Sequence, residues 1–168
     1  MAMWRLSFLF SLLVMALLAS CDRKARMVGL AEENIRMSME SPVGFSITGI
    51  SDPDSAFGVN YLSQHEINSM TALMQNVTAV IMERTNDMTA FNPDDHYVMG
   101  LAERQMKAMA DLRTMVHKTS EKGEWSGWKL RVDYEAKDKY GETYRAERWF
   151  FFDKDGKTIH KSFELPLP

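Results

Sequence analysis

The sequence predicts an α+β fold, in which two or three helices pack on an antiparallel sheet of three or four strands with a C-terminal meander. Two observations lead to this prediction. Through most of the stretch 27–120 apolar residues recur at the spacing of helices, and after Gly123 the apolar period changes to two. Most of the helical sequence therefore precedes the sheet strands, and we expect the helices to cover one face of a two-layered domain.

A helix and a strand are predicted before the first loop. The segment 27–40 carries apolar residues at helical spacing, at Val28, Ala31, Ile35 and Met39. Pro42 ends this helix, because the residue before a proline avoids the α conformation. The segment 43–51 alternates and is predicted as a strand, which would be the fourth of the sheet. The segment 52–58 is rich in Asp, Pro, Ser and Gly and is predicted as a loop.

Two longer helices are predicted over 63–85 and 93–120. Ser63 and Glu66 have the spacing of a capping box, in which the serine side chain and the glutamate side chain each bind a free backbone amide. The apolar face of the first of these helices is expected at Ile67, Met70, Met74, Val77 and Ile81. The core stripe of the second is expected at Met99, Ala102, Met106, Met109 and Val116, flanked by Leu101, Leu112 and Met115. Most methionines of the folded domain are therefore predicted to be core residues.

Three strands are predicted after Gly123, over 125–136, 142–153 and 157–165. Turn-forming sequences, KDKYG and DKDG, separate them, which indicates a meander of hairpins. One face of the first strand is apolar, at Trp128, Leu130, Val132 and Tyr134. One face of the second carries Tyr144, Ala146, Arg148, Phe150 and Phe152, and the other carries Arg145, Glu147, Trp149 and Phe151.

Composition indicates a single domain and argues against nucleic-acid binding. The chain has 168 residues, of which 45% are hydrophobic and 26% are charged, as in ordinary globular proteins. The formal net charge is −3, whereas a nucleic-acid surface needs a basic face that displaces counterions from phosphates. Charges of both signs are interspersed, so no acidic or basic block suggests a polyelectrolyte partner.

The N-terminal segment has the form of an export signal. Arg5 supplies a positive charge, the run 6–18 is uncharged and apolar, and small residues follow immediately before Cys21. The apolar run is shorter than the roughly 20 residues of a membrane-spanning helix. The tetrad Leu18-Ala19-Ser20-Cys21 resembles the lipobox of bacterial lipoproteins. An ordinary secretory signal that is cut elsewhere, or a transmembrane anchor, are the two alternatives.

The lipobox resemblance implies a lipid anchor at the only cysteine of the chain. In that family the cysteine sulfur receives a diacylglyceryl group, signal peptidase II cuts between the residues that correspond to Ser20 and Cys21, and the new amino group is often acylated. The organisation predicted from it is a signal peptide over 1–20, a lipidated tether over 21–27 and a folded domain over 28–168. Asp22 resembles the inner-membrane retention signal of enterobacterial lipoproteins, and the periplasmic side is the expected location.

The order of elements over about 43–165 resembles the cystatin-like and NTF2-like folds of small bacterial lipoproteins. This resemblance implies a pocket between the sheet and the helices, and it identifies no active-site residues. The chain contains no nucleophile, phosphate-loop or dinucleotide motif. His65, His96, His117 and His160 have no partner at metal-ligand spacing, and no cofactor or metal is predicted.

Aromatic residues near the meander are the candidate binding patch. Trp125, Trp149 and Phe151 flank or occupy a strand that is bulky on both faces. Either another element covers the face of Trp149 and Phe151, since strands buried on both faces are continuously apolar, or that face is exposed as a binding surface.

The function predicted from these observations is that of a membrane-anchored periplasmic accessory domain that binds an envelope protein or a small ligand without catalysis. The alternative is an enzyme with a pocket between sheet and helices, and a third is a purely structural role. A polar cluster with shifted titration inside an apolar cavity would favour the enzyme. An exposed patch of Trp149 and Phe151 without such a pocket would favour protein binding.

Overall fold

A computed structural model describes residues 22–39, 43–58, 62–115 and 123–168. Within these ranges the chain forms an α+β domain with three helices and five strands, which confirms the predicted fold class. The elements are α1 (22–38), β1 (Ser46–Ile50), β2 (Asp54–Phe57), α2 (Gln64–Arg84), α3 (His96–Met115), β3 (Trp125–Lys137), β4 (Thr143–Phe152) and β5 (Ile159–Leu167). None of the described helices is long and apolar enough to cross a membrane.

The sheet is antiparallel and is built around the long strand β3. Its order is β1-β3-β4-β5, and the last three strands form the predicted meander. β4 pairs with one edge of β3, and two short strands share the opposite edge. β1 pairs there near Glu135, and β2 pairs near Lys129. The prediction of a loop over 52–58 is therefore wrong for β2. This strand has too few residues to show alternation, and its conformation is stabilised by pairing with β3.

Helices cover both faces of the sheet, so the domain has three layers and the prediction of two layers is wrong. On one face, α1 packs against the apolar residues of β3 and β4, and the buried cluster there contains Met27, Ala31, Ile35, Leu130, Val132, Tyr134, Ala136, Ala146, Phe150 and Phe152. On the other face, α2 and α3 pack against Phe151, Phe163 and Leu165. The alternation predicted for β3 and β4 is confirmed, and both faces of β4 are buried.

The first helix reaches further towards the N-terminus than the sequence predicts. Residues 22–27, expected as part of a tether, are helical, and Met27 is fully buried. Gly156, in the turn between β4 and β5, lies against Met27 and Arg23, and a Cβ at that glycine would come within 2.9 Å of the Met27 sulfur. The folded domain therefore includes residue 22, and the predicted boundary at residue 28 is wrong.

Helix α2 begins and ends as local sequence predicts. The Ser63 side chain accepts a hydrogen bond from the Glu66 amide at 3.3 Å, and the Ser63 amide donates to the Glu66 carboxylate at 2.6 Å. This reciprocal pair is the predicted capping box. The buried residues of the helix are Met70, Met74, Val77 and Ile81, as expected.

Helix α3 buries the side on which Leu101 and Met115 are predicted to flank the stripe, and the methionines of the stripe itself are exposed. Its buried residues are Val98, Leu101, Ala108 and Met115, whereas Met99, Met106 and Met109 are exposed. Gln105 lies on the side that faces α2 and donates to the Met74 carbonyl at 3.1 Å and to the Thr78 hydroxyl at 2.5 Å. Gln105 interrupts the apolar residues of the buried face. The stripe of methionines is therefore the more continuous apolar pattern in the sequence of α3. Val116 and the remaining predicted turn, 117–120, lie outside the described residues.

Candidate functional site

The three residues of the predicted aromatic patch do not form one exposed surface. Phe151 is fully buried between the sheet and the pair α2 and α3. Trp149 is half-buried in the same cluster, where its ring stacks on Phe163 with 6.5 Å between ring centres. Trp125 is 37% exposed and lies at the start of β3, where its ring meets Trp128 edge-on. Ser20 and Cys21 lie outside the described residues.

A charged group surrounds Trp149 on this covered face. The indole N–H of Trp149 donates to Glu147 at 2.9 Å, and a guanidinium nitrogen of Arg131 lies 3.9 Å from the other carboxylate oxygen. Burial raises the pKa of Glu147, against the opposing effects of the indole N–H and of Arg131. A cavity of about 380 Å³ opens beside these side chains and the first turns of α2.

The neighbouring Lys129 connects this face of the sheet to the start of α2. Its ammonium group is almost completely buried and lies 2.6 Å from Glu66 and 3.3 Å from Asp54. Because Glu66 also closes the capping box at Ser63, one carboxylate joins the helix start to β3. This arrangement satisfies a buried cation and is best explained as structural.

A second cavity of about 500 Å³ lies at the end of the sheet where α1 ends. The end of α1, one side of α3, the turn between β3 and β4, and inward-facing residues of β3, β4 and β5 form its walls. It brings together polar side chains that are distant in sequence, namely Ser38, Arg104, Tyr134, Tyr144, Arg148, Ser162 and Glu164. The cavity therefore lies between the sheet and two helices, and the resemblance to cystatin-like and NTF2-like folds stays a prediction.

Two tyrosines and a glutamate form the floor of the cavity. The Tyr134 hydroxyl donates to the Glu164 carboxylate, and the Tyr144 ring meets the Tyr134 ring edge-on at 6.3 Å. The pKa of Tyr134 is strongly raised. Burial is the largest cause, and the negative charge of Glu164 and the hydrogen bond to Glu164 add to it. Burial, followed by the same negative charge, raises the pKa of Tyr144. Both hydroxyls therefore stay protonated at neutral pH, and because Tyr134 already donates its one proton to Glu164, Tyr144 is the tyrosine that can donate to a ligand.

Two arginines border the same floor. Arg148 donates to the hydroxyls of Ser38 at 2.6 Å and Ser162 at 3.2 Å. The guanidinium of Arg104 lies over the Tyr144 ring at 4.0 Å. Within the described ranges neither arginine forms an ion pair with a carboxylate, and the Nε atom of each is buried without a hydrogen-bond partner.

The two guanidinium groups are suited to a ligand that accepts hydrogen bonds and carries negative charge, and they lie in a cavity that Glu103, Asp111, Asp138 and Glu164 also line. A guanidinium offers donors in a planar fork that matches carboxylate and phosphate groups. Arg104 and Arg148 both line the cavity, and their other guanidinium N–H groups can donate to an acceptor that enters it. The aromatic rings of Tyr134 and Tyr144 add apolar surface, as in many small-molecule sites.

Sequence reasoning did not select these cavity residues, although one signal was present. Arg148 stands on the otherwise apolar face of β4, between Ala146 and Phe150, and a charge at an inward position needs a partner or a function. Glu164 and Arg104 gave no such signal, because their positions relative to β4 depend on the packing of β5 and α3.

Among the described residues, no group of three or more His, Cys, Asp or Glu side chains is arranged to hold a metal ion. No protein-family model matches the chain, and neither a curated protein nor a solved structure matches it with significance.

Proposed function

We propose that this protein is a membrane-anchored bacterial lipoprotein whose domain binds a small anionic ligand in the cavity of Arg104 and Tyr144, without catalysis. The observation that carries the ligand proposal is the pair of arginines without carboxylate partners beside two protonated tyrosines. The bilayer is the second partner, through acyl chains on Cys21, and the periplasmic side is the proposed location. Asp22 favours the inner membrane.

The anchor proposal is supported by the order of signals in the first 21 residues. A positive charge, an apolar run, small residues and Cys21 follow one another at the distances of a lipoprotein signal. Two or three acyl chains give stable attachment, because each buried methylene contributes about 0.8 kcal/mol. A single chain would attach only marginally.

A small ligand is favoured over a protein partner on the Trp149 face. Phe151 is fully buried and Trp149 is half-covered, so α2 and α3 already occupy the surface that a partner would need. Of the two cavities described above, the one near Tyr144 is the larger, at about 500 Å³ against about 380 Å³ beside Trp149.

An enzyme remains the second candidate, and the Tyr134–Glu164 pair favours it. A polar cluster with shifted titration inside a partly apolar cavity is typical of catalytic sites. The direction of the shift argues for a binding role, because a tyrosine with a raised pKa stays protonated at neutral pH, so it is a weak acid and no tyrosinate is present to act as a base. Chemical change of a bound ligand during incubation with the protein would decide for the enzyme.

The anchor is tested by the intact mass of the protein isolated from bacterial membranes, with and without an inhibitor of signal peptidase II. We expect a mature chain that begins at Cys21 and carries acyl groups, and we expect Cys21→Ser to accumulate as an unprocessed, unlipidated precursor. Normal processing and membrane fractionation of Cys21→Ser would contradict the lipoprotein proposal.

The ligand site is tested by NMR titration of the domain with phosphate and citrate as anionic probes. We expect the Nε–H signals of Arg104 and Arg148 to shift on addition of a probe that fits, and Arg104→Gln to abolish the response. Arg113→Gln is the matched control, because Arg113 lies on the exposed side of the same helix. Unchanged arginine signals with both probes, or an equal response in Arg104→Gln, would contradict an anion site.

A further inference from the structure

The first turn of α1 is held firmly against the rest of the domain. The guanidinium of Arg23 lies 4.8 Å from the centre of the Trp128 ring, and Lys24 forms an ion pair with Asp52 at 2.5 Å. Met27 is fully buried one turn later. Residue 22 is already helical, and it is joined to Cys21 by one peptide bond, which separates their Cα atoms by about 3.8 Å.

The domain therefore has no flexible spacer on the C-terminal side of the acylation site. If Cys21 carries acyl chains, its backbone lies at the headgroup level of the bilayer, and the adjacent turn of α1 must lie there as well. Whatever side chains share this end of the domain are then presented to the membrane surface.

Aromatic and cationic side chains occupy that end. Trp125 meets Trp128 edge-on at 5.7 Å, and the Lys154 ammonium lies 5.5 Å from the Trp125 ring. The Trp128 indole N–H donates to the Lys154 carbonyl at 2.9 Å, which ties the turn between β4 and β5 to β3. Partly exposed tryptophans with lysine or arginine beside them are the composition of membrane-interface belts.

Acidic residues are interspersed with these cations. Asp52 is paired with Lys24, and Asp22 lies 3.8 Å from Arg26. Asp155 is exposed in the turn between β4 and β5. Charge attraction alone is therefore too weak to hold the surface on anionic lipids, and contact depends on the acyl anchor.

We infer that the end of the domain formed by Arg23, Trp125 and Lys154 rests directly on the bilayer, with Trp125 at the headgroup level. This inference rests on the proposed acylation of Cys21 and adds the orientation of the domain to it. The occupant of the surface is the same membrane that holds the acyl chains.

The orientation places the ligand cavity at the far side of the domain. Helix α1 extends about 24 Å from residue 22 to residue 38, at about 1.5 Å per residue. Ser38, at its far end, lines the cavity together with the turn that holds Lys139 and Tyr140. The cavity then opens towards the periplasm and is accessible to a soluble ligand.

The test uses the acylated protein in vesicles of phosphatidylethanolamine and phosphatidylglycerol. The lipid consumes the Cys21 sulfur, and no other cysteine follows, so one introduced cysteine can carry a nitroxide label. Lys154→Cys and Lys139→Cys form a matched pair, because both are exposed turn lysines beside an aromatic ring, at opposite ends of the sheet. Accessibility of each nitroxide to a water-soluble nickel chelate is measured by spin-resonance saturation.

We expect the accessibility of the label at 154 to the nickel chelate to be about half or less of that at 139. The reason is that position 154 would lie at the membrane interface and position 139 in bulk water. Without new cysteines, brominated lipids should quench the tryptophan emission of the acylated protein, and Trp125→Phe should reduce the quenching to the part contributed by Trp128, which lies at the same end of the domain. Equal accessibility at both positions in a protein of acylated mass would overturn the orientation and leave the anchor intact. A mass without acyl groups would overturn both proposals.

Discussion

At the residue scale, this protein carries several charged side chains at positions that face inward. Lys129 is satisfied by Glu66 and Asp54, and Glu164 accepts from Tyr134. Arg148 donates to two serine hydroxyls and lies over the Phe150 ring, and within the described ranges it forms no ion pair with a carboxylate. A buried charge is stable only when it is paired. Lys129 is paired with two carboxylates and is therefore structural, whereas Arg148 can still donate to a ligand.

The energetic cost of burying a charge can be tested at Glu147 through the pH dependence of the free energy of unfolding. Burial raises its pKa, so the folded protein holds the proton more tightly than the unfolded chain does. Ionisation of Glu147 therefore lowers stability as the pH rises from the ordinary glutamate range through the raised pKa. We expect Glu147→Gln, which still accepts from the Trp149 indole, to have a higher free energy of unfolding than the parent at neutral pH.

The measurement is urea unfolding across a series of pH values. At pH values below the ordinary pKa of glutamate, parent and Glu147→Gln should converge. Glu142→Gln, in the exposed turn between β3 and β4, is the control and should follow the parent throughout. A Glu147→Gln protein that is less stable at neutral pH would mean that attraction to Arg131 outweighs burial.

At the element scale, α2 and α3 differ in how much of their structure is local. The start of α2 depends on the reciprocal bonds between Ser63 and Glu66, three residues apart, and a local pattern predicted it. The orientation of α3 depends on Gln105, which bonds to α2 across 31 residues of sequence. Its core face could not be deduced from the apolar pattern of α3 alone.

Substitutions on the two faces of α3 distinguish the observed packing from the predicted one. Leu101→Ala should lower the free energy of unfolding by about 2–5 kcal/mol, because it leaves a cavity in the buried cluster. Met106→Ala should change it by less than about 0.5 kcal/mol, because Met106 is 70% exposed. Chemical denaturation of both variants makes the comparison, and a reversed order would restore the methionine stripe as the core face.

At the scale of the whole molecule, the sheet needs cover on two sides. Phe150 and Phe152 point to α1, whereas Phe151 between them points to α2 and α3, and all three are fully buried. Continuous apolar sequence in β4 is thus explained by two cores on opposite faces of one strand. The layer that α1 adds also connects the proposed membrane anchor with the folded domain.

Removal of α1 should therefore abolish cooperative folding. A chain shortened to begin at Gly44 exposes Leu130, Val132, Phe150 and Phe152, and each buried side chain of this kind contributes about 1.5–3 kcal/mol. A chain that begins at Asp22 keeps α1 and should unfold in one cooperative transition. Circular dichroism melts of the two chains make the test. A cooperative melt of the shorter chain would show that α1 is dispensable for the fold.

The sequence by itself determined those features whose causes lie within a few residues. They include the α+β class, the capping box at Ser63, the alternation of β3 and β4, and the turns of the meander. The lipobox is also a local pattern, because it depends on the short sequence that ends at Cys21, and it stays a prediction.

Only the tertiary structure decided the features that depend on contacts between distant segments. They include the second helical layer, the strand β2, the buried face of α3, and the cavity that unites Arg104 with Tyr144. The physical reason is that strand pairing and helix packing choose among several local patterns that are equally acceptable in isolation. The free energy of burying both faces of the sheet makes that choice.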